Sequence, residues 1–396
     1  WITLAVILSG MFISLLDSLI VNVALPSIRN SLHASESELS WVVSGYALGL
    51  GLALIPAGRI GDRVGHKWVF ILGLALFTAA SMACGLSQDG GPLVIWRVLQ
   101  GVAGGIYIPA VGSFIQLLFT GKERGRAFGI MGAVIGLSSA IGLIIGGLII
   151  QVFGTADGWR WVFFVNLPIG VFAVIASILI LPGHERNLDR RTGLDLTGAL
   201  ILAAGLVAIL VPLIDGQQED WPLWTWLSLA GGALLLVAFA LWEIGVARRG
   251  ALPLVPPSLF HHTSFTMGML LSLIYFAGFT SIFFTVSILW QAGLGHSALE
   301  SGLFTLPIAV GTFFASMASQ RLVVRLERRI LWIGVACMAL GLSAFALILL
   351  FVPASELSSW MFALPLFVSG VGNGFFLGPN AQFIIATVEN SEAGAA

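Results

Sequence analysis

Twelve continuous apolar runs, each about 20 residues or longer, fill nearly all of this 396-residue chain. In hydrocarbon every backbone N–H and C=O must be bonded within the protein, so only helices and closed barrels cross a bilayer. Barrel strands alternate apolar and polar residues at every second position. These runs do not alternate, and they have the length that a membrane helix needs. Composition agrees: 58% of residues are hydrophobic and 9% charged, against roughly 25% charged in a soluble domain. The expected fold class is an all-α polytopic membrane protein. No polar block is large enough for a soluble domain, so function must reside in the spans or their short loops. The net charge of −1 gives no sign of a nucleic-acid partner, and none is expected.

The runs fall at about 2–25, 41–60, 68–87, 93–118, 126–152, 162–182, 195–214, 223–246, 266–291, 299–320, 330–352 and 360–386. Orientation follows from Lys and Arg, which favour cytoplasmic loops. The even-numbered loops, with Arg59 at the edge of the first, hold 15 of the 18 basic residues, among them Arg63, Lys67, Lys122, Arg124, Arg126, Arg248 and Arg249. The odd-numbered loops hold only Arg29 and Arg160, and Arg97 lies inside a span. The even loops and the N-terminus therefore face the cytoplasm. The polar stretch 183–194, with Arg186, Arg190 and Arg191, is the clearest linker.

Two charges stand inside spans. Asp17 lies nine residues before Pro26, where the first span is expected to leave the membrane; Arg97 lies five residues after Pro92, where the fourth enters from the same side. At ~1.5 Å per residue their depths differ by only ~6 Å. A lone charge at the bilayer centre costs at least ~2.5–3.5 kcal/mol, so the two are expected to pair. The pair can be a static packing element or a proton switch, in which Asp17 gains and loses a proton as access changes. Glu243 and Glu300 lie near span ends and are read as structural or interfacial. All six histidines fall in loops or at span ends, which removes the obvious intramembrane bases and metal ligands. No enzyme activity and no metal are expected. Cys84 and Cys337 sit in apolar runs and read as packing.

After the second span comes GRIGDRVGHK, with Gly58, Asp62, Arg63, Gly65 and Lys67 in a G-x-x-x-D-R-x-G-x-K pattern. Its glycines allow a tight turn between closely approaching helices. This stretch resembles the signature loop of the major facilitator superfamily. WRVLQGVAGG, with Arg97, Gln100 and Gly101, resembles the superfamily's fourth-span motif. LDSLIVNVALP and GWRWVFFVNLPIG resemble segments of its 14-span drug:proton antiporter subfamily, the multidrug exporter type. The resemblance implies a six-helix N-terminal bundle over 1–182, an added helix pair at 195–246, and a C-terminal bundle from 266 with four of six helices by residue 396. A final pair is expected to follow residue 396, and further residues to precede Trp1. The added pair is expected to pack outside the transport core.

The fifth span departs from the subfamily pattern. Leu143 replaces its proline and Ser138 one glycine, while Gly129, Gly142, Gly146 and Gly147 remain, with Gly132 and Gly136 nearby. These still make a smooth face for helix packing. The resemblance implies proton-coupled efflux of small amphipathic drugs or metabolites, cationic ones included, by a monomer in a bacterial plasma membrane, with Asp17 and Arg97 coupling protons and the 58–67 loop gating. No cofactor beyond the proton is expected. An uncoupled facilitator, or a lipid or metabolite exporter of the same fold, is the alternative. Candidate cavity residues are Asn22, Tyr46, Tyr107 and Gln116 in the first half, and Tyr275, Phe279, Phe283, Asn373 and Asn380 in the second.

Overall fold

The computed structural model describes residues 1–385 except 155, 184–194, 217–218, 252 and 354–355. The linker expected at 183–194 therefore lies almost wholly outside the described residues, as does the end of the chain. The described residues form helices α1 (Ile2–Leu32), α2 (Glu36–Val64), α3 (His66–Leu86), α4 (Gly90–Leu118), α5 (Gly121–Phe153), α6 (Gly158–Phe164), α7 (Asn166–Ile180), α8 (Leu196–Asp215), α9 (Leu223–Arg248), α10 (Thr263–Ile288), α11 (Ala298–Leu326), α12 (Arg329–Phe351) and α13 (Ser359–Ile385). Among the described residues ten helices are long and apolar enough to cross a membrane, α6 and α7 counting together. Continuous helices α5 and α10 occupy the remaining two expected places.

Two boundaries differ from expectation. Helix α1 does not stop at Pro26 but carries it inside and runs on to Leu32, ending in left-handed His33. The sixth span is broken. Pro168 lacks an N–H, and its ring crowds the carbonyl four residues back, at Phe164. Helix α6 ends there, and Asn166 begins α7. That break exposes backbone and side-chain polar groups deep in the bundle, and α1 and α3 use them.

The two halves repeat one packing device. In the first, α2 lies along α4; in the second, α11 lies along α13. Both contacts are backbone to backbone at glycine: a Cβ on Gly101 would strike the Tyr46 carbonyl, and one on Gly370 the Ile308 carbonyl. Dispersion between closely approaching backbones holds membrane helices together where lipid offers no hydrophobic drive. Helix α5 joins the halves. Its Gly142 and Gly146 face Leu16 and Ile20 of α1, and its Gly136 and Gly147 face Thr312 and Leu299 of α11. Gly129 is also buried. Helices α8 and α9 pair with each other, and α8 packs on α2. Asp215 at the outer end of α8 accepts from Trp41 Nε1 (2.9 Å) and Ser37 Oγ (3.1 Å) of α2.

Candidate functional site

Asp17 and Arg97 meet, as their depths predict. Both are enclosed, at 0% and 1% exposure. Arg97 Nη1 donates to Asp17 Oδ2 at 2.5 Å and to Gln100 Oε1 at 2.8 Å, and its Nε donates to the Val42 carbonyl at 2.8 Å. The other carboxylate oxygen, Oδ1, accepts from Gln100 Nε2 (3.0 Å) and Asn166 Nδ2 (2.7 Å). Asn166 Nδ2 also reaches Ser81 Oγ (3.0 Å), whose hydroxyl donates to the Phe163 carbonyl (3.0 Å). One carboxylate thus gathers donors from α4 and α7 and, through them, contacts from α2 and α3. The guanidinium carbon lies 4.4 Å from the Tyr46 ring centroid and 5.7 Å from that of Phe163. The aromatic faces add cation–π attraction in a site without water-like screening.

Asn166 and Ser81 were missed as site residues, and Gln100 was seen only as part of a motif. A signal for Asn166 existed: a lone amide two residues before Pro168, in the middle of an apolar run. Which face it would occupy depends on the helix break, and the apolar periodicity does not show one.

Tyr46 and Tyr107 were expected on a cavity wall, and the structure instead places both inside the first bundle. Tyr46 shares a 2.5 Å hydrogen bond with Ser14 Oγ and flanks Arg97. Tyr107 donates to the Gly10 carbonyl at 3.0 Å and packs edge-on against Phe70 and Phe77. A phenol buried in an apolar bundle needs a partner for its hydroxyl, and α1 backbone and Ser14 supply it. Asn22 is half-buried and donates to carbonyls of its own helix, at Ser18 and Leu19. Gln116 is half-buried near the inner end of α4.

Of the second-half candidates Asn380 lines a cavity, while Tyr275, Phe279 and Asn373 pack behind its wall. A cavity of about 230 Å³ lies between α5, α10 and α13, lined by Met131, Gly132, Ser272, Phe276, Phe376 and Asn380 among others. Asn380 Nδ2 donates to Ser272 Oγ at 2.6 Å, while its Oδ1 is buried with no donor. Tyr275 stacks on Phe376 (3.8 Å, 14°) and more loosely on Phe279 (6.2 Å, 17°). Its hydroxyl donates to Asn373 Oδ1 at 3.1 Å, and Asn373 Nδ2 donates to Thr312 Oγ1 at 3.3 Å. The Phe283 side chain lies outside the described residues. None of the lining residues comes from α8 or α9.

At 58–67 the turn is tight. Gly58 is buried within α2. Gly65 takes φ 98°, a conformation L side chains rarely adopt, and α3 starts at the next residue. Asp62 Oδ1 lies 3.3 Å from His66 Nε2. The expected partner was an arginine or a helix N-terminus; His66 takes its place because the Gly65 turn brings the first residue of α3 back against the last turn of α2. Arg63 is half-buried. Lys67 Nζ donates to the carbonyls of Ile178 (2.9 Å) and Leu181 (2.7 Å), capping the end of α7. Glu300 closes a capping box with Ser297 at the start of α11.

The family pattern of the Major Facilitator Superfamily matches residues 7–396. The chain belongs to that superfamily. It is 34% identical to the puromycin resistance protein of Streptomyces alboniger, over 100% of this chain and 77% of that one. It is 34% identical to the tetracenomycin C resistance and export protein of Streptomyces glaucescens, over 78% of this chain and 56% of that one. It is 33% identical to a multidrug transporter of Bacillus subtilis, over 80% and 57%. For those last two the chain spans less than two thirds of the relative. The fold matches the proton:xylose symporter XylE with TM-score 0.68 at 15% identity, over 100% of this chain and 84% of that one. It also matches the human organic anion transporter MFSD10, with TM-score 0.59 at 14% identity, over 99% and 91%. This superfamily member is a transporter, not an enzyme. Its relatives are drug and antibiotic efflux proteins, in keeping with the 14-span antiporter subfamily, and it is a multi-span protein of the bacterial plasma membrane.

Proposed function

We propose that the protein exports small amphipathic drugs or metabolites in exchange for protons, by rocking its two halves about the cavity between α5, α10 and α13. Asp17 is the proton carrier and Arg97 its partner. The observation that carries this is the donor shell around Asp17: both oxygens are occupied by N–H groups. A proton on Oδ1 would oppose the amides of Gln100 and Asn166. A proton on Oδ2 would oppose the guanidinium. Either way a donor meets a donor, and an unmade hydrogen bond to a buried group costs ~1–3 kcal/mol. Protonation therefore works against the junction of α1, α4 and α7 and favours a second arrangement of the bundle. Two such arrangements, biased by a proton, are what alternating access requires.

The cavity supports an aromatic substrate bearing a hydrogen-bond donor. Asn380 Oδ1 waits for a donor, Phe376 and Phe276 offer apolar faces, and no charged side chain lines the wall. At about 230 Å³ it is smaller than the ~300–1,000 Å³ of drug-sized sites, so the halves must part to admit a substrate. The relatives' names support an antibiotic-sized organic molecule. The Gly65 turn and the Lys67 cap support a gating role for the 58–67 loop.

The test is substrate-induced proton release from purified protein across pH, beside drug accumulation in cells with and without a protonophore. Asp17→Asn should abolish release and proton-driven efflux, yet still bind neutral substrates. Release that persists in Asp17→Asn assigns the proton to another acid. The full enclosure of Asp17 favours a second reading, a static pair in an uncoupled facilitator. Absence of release from the unmutated protein at every pH would establish it.

A further inference from the structure

A second pair of acids meets at the inner end of the added helices. Glu243 of α9 is 3% exposed. Its Oε2 accepts from the Val255 backbone N–H at 2.7 Å, while its Oε1 has no donor. Beside it stands the carboxyl of Asp195. Asp195 Oδ2 and Glu243 Oε1 converge over Gly198, where a Cβ would lie 2.7 Å from each. Asp195 already accepts on both of its oxygens. It caps α8 by accepting from Gly198 N (2.8 Å), and it accepts from Trp242 Nε1 (2.8 Å). Two ionised carboxylates cannot stand this close without a large penalty. A hydrogen on Glu243 Oε1, donated to Asp195 Oδ2, resolves both the repulsion and the orphaned atom.

The pair also sits beside a clamp. Arg59, at the inner end of α2, donates from Nε to the Leu254 carbonyl (3.0 Å) and from Nη2 to the Pro253 carbonyl (2.6 Å). It therefore holds the two residues before Val255, the residue that Glu243 binds. Segment 253–262 joins α9 to α10, the first helix of the second half. Its Leu254 and Leu259 are buried. So α2, which leads directly into the 58–67 turn, holds the strap that enters the other half.

We propose that Asp195 and Glu243 share one proton taken from the cytoplasmic side, and that losing it loosens strap 253–262 from α2. Among the described residues, the facing groups are Asp195 from α8 and Arg59 from α2. Arg248 and Arg249 of α9, and His261 and His262 of the strap, are exposed to solvent. When the proton leaves, two adjacent anions remain. They draw the Arg59 guanidinium off the two strap carbonyls, since a charge-assisted bond to carboxylate is about twice as strong as one to a neutral acceptor; the Val255 N–H bond to Glu243 tightens for the same reason, so the strap leaves α2 while Val255 stays on α9. This site responds to cytoplasmic pH and does not depend on Asp17 carrying the transport proton.

Two measurements on the full chain in lipid nanodiscs test it. Infrared spectra at neutral pH should show a protonated-carboxyl band that disappears in Glu243→Gln and in Asp195→Asn but survives in Asp17→Asn. Hydrogen exchange, corrected for intrinsic rate, should show strap amides losing protection as pH rises in the unmutated protein. In Glu243→Gln, an uncharged isostere, that protection should stay constant. A band that persists in both variants, or is missing from the unmutated protein, overturns the proposal. So does a strap whose exchange in Glu243→Gln follows pH as before.

Discussion

Removing Arg97 alone should cost ~1 kcal/mol more than removing Arg97 and the Asp17 charge together, so the two losses should be far from additive. Arg97→Met deletes the bonds to Asp17, Gln100 and Val42 and leaves a carboxylate at 0% exposure with only two amide donors. Breaking a buried pair from one side costs ~3–5 kcal/mol. Asp17→Asn keeps the shape but strands a guanidinium at 1% exposure, and the same ~3–5 kcal/mol applies. The double variant buries no charge. Its losses are the Arg97 bonds to Val42 and Gln100, at ~1 kcal/mol each, so its total should be ~2–4 kcal/mol. The interaction energy is then at least ~2 kcal/mol, well outside the ~0.3–0.5 kcal/mol expected of independent sites. The assay is reversible unfolding in mixed micelles by SDS titration, followed by tryptophan fluorescence, for all four proteins. Additive losses would refute the argument, because they would mean that water reaches each charge when the other is gone. Transport cannot make this distinction, since every variant should be inactive.

Asp62→Asn should slow transport while leaving substrate affinity unchanged, measured as efflux rate against equilibrium binding; an equal loss of binding would mean that the loop contacts substrate. Asn380→Leu should weaken substrates that carry a hydrogen-bond donor by about 5- to 150-fold, the equivalent of ~1–3 kcal/mol, and should spare analogues in which that donor is methylated. Gly101→Ala should destabilise by ~1–3 kcal/mol or more, read in the same SDS titration, because its Cβ meets the Tyr46 carbonyl backbone and no rotamer can yield. Gly142→Ala, whose Cβ would lie 3.1 Å from the Leu16 carbonyl, should cost less stability but slow efflux.

What the sequence made legible was whatever one coordinate could settle. Depth along the span paired Asp17 with Arg97. Spacing along one helix exposed the smooth face of α5, which then met Leu16, Ile20 and Thr312. What stayed hidden depended on rotation about helix axes. Tyr46 and Tyr107 have suitable chemistry for a cavity, yet the turn of α2 and α4 points them at Ser14 and Gly10. Asn166 needed the break at Phe164 before its side chain could reach Asp17. Asp195 and Glu243 are 48 positions apart on different helices, and no periodicity within either helix brings them together.

The positions of the two candidate centres limit how they can communicate. The Asp17 cluster is sealed within the first bundle, while the cavity lies across α5, against α10 and α13. Among the described residues the hydrogen bonds of the Asp17 cluster stay within the first bundle, so in the proposed cycle a bound substrate and a proton on Asp17 sense each other through the movement of helices. Helix α5 is placed for that. Leu16, next to Asp17 in sequence, puts its carbonyl against Gly142, and Ile20 packs on Gly146. On its other side α5 supplies Met131 and Gly132 to the cavity wall. Small residues let these surfaces slide with little change in packed volume, so under the proposed mechanism a shift of α1 after protonation would be carried to the wall as a displacement of α5. In this arrangement the fifth-span glycines matter more than the proline that Leu143 replaces, because the sliding contact needs the absent side chains and not the kink.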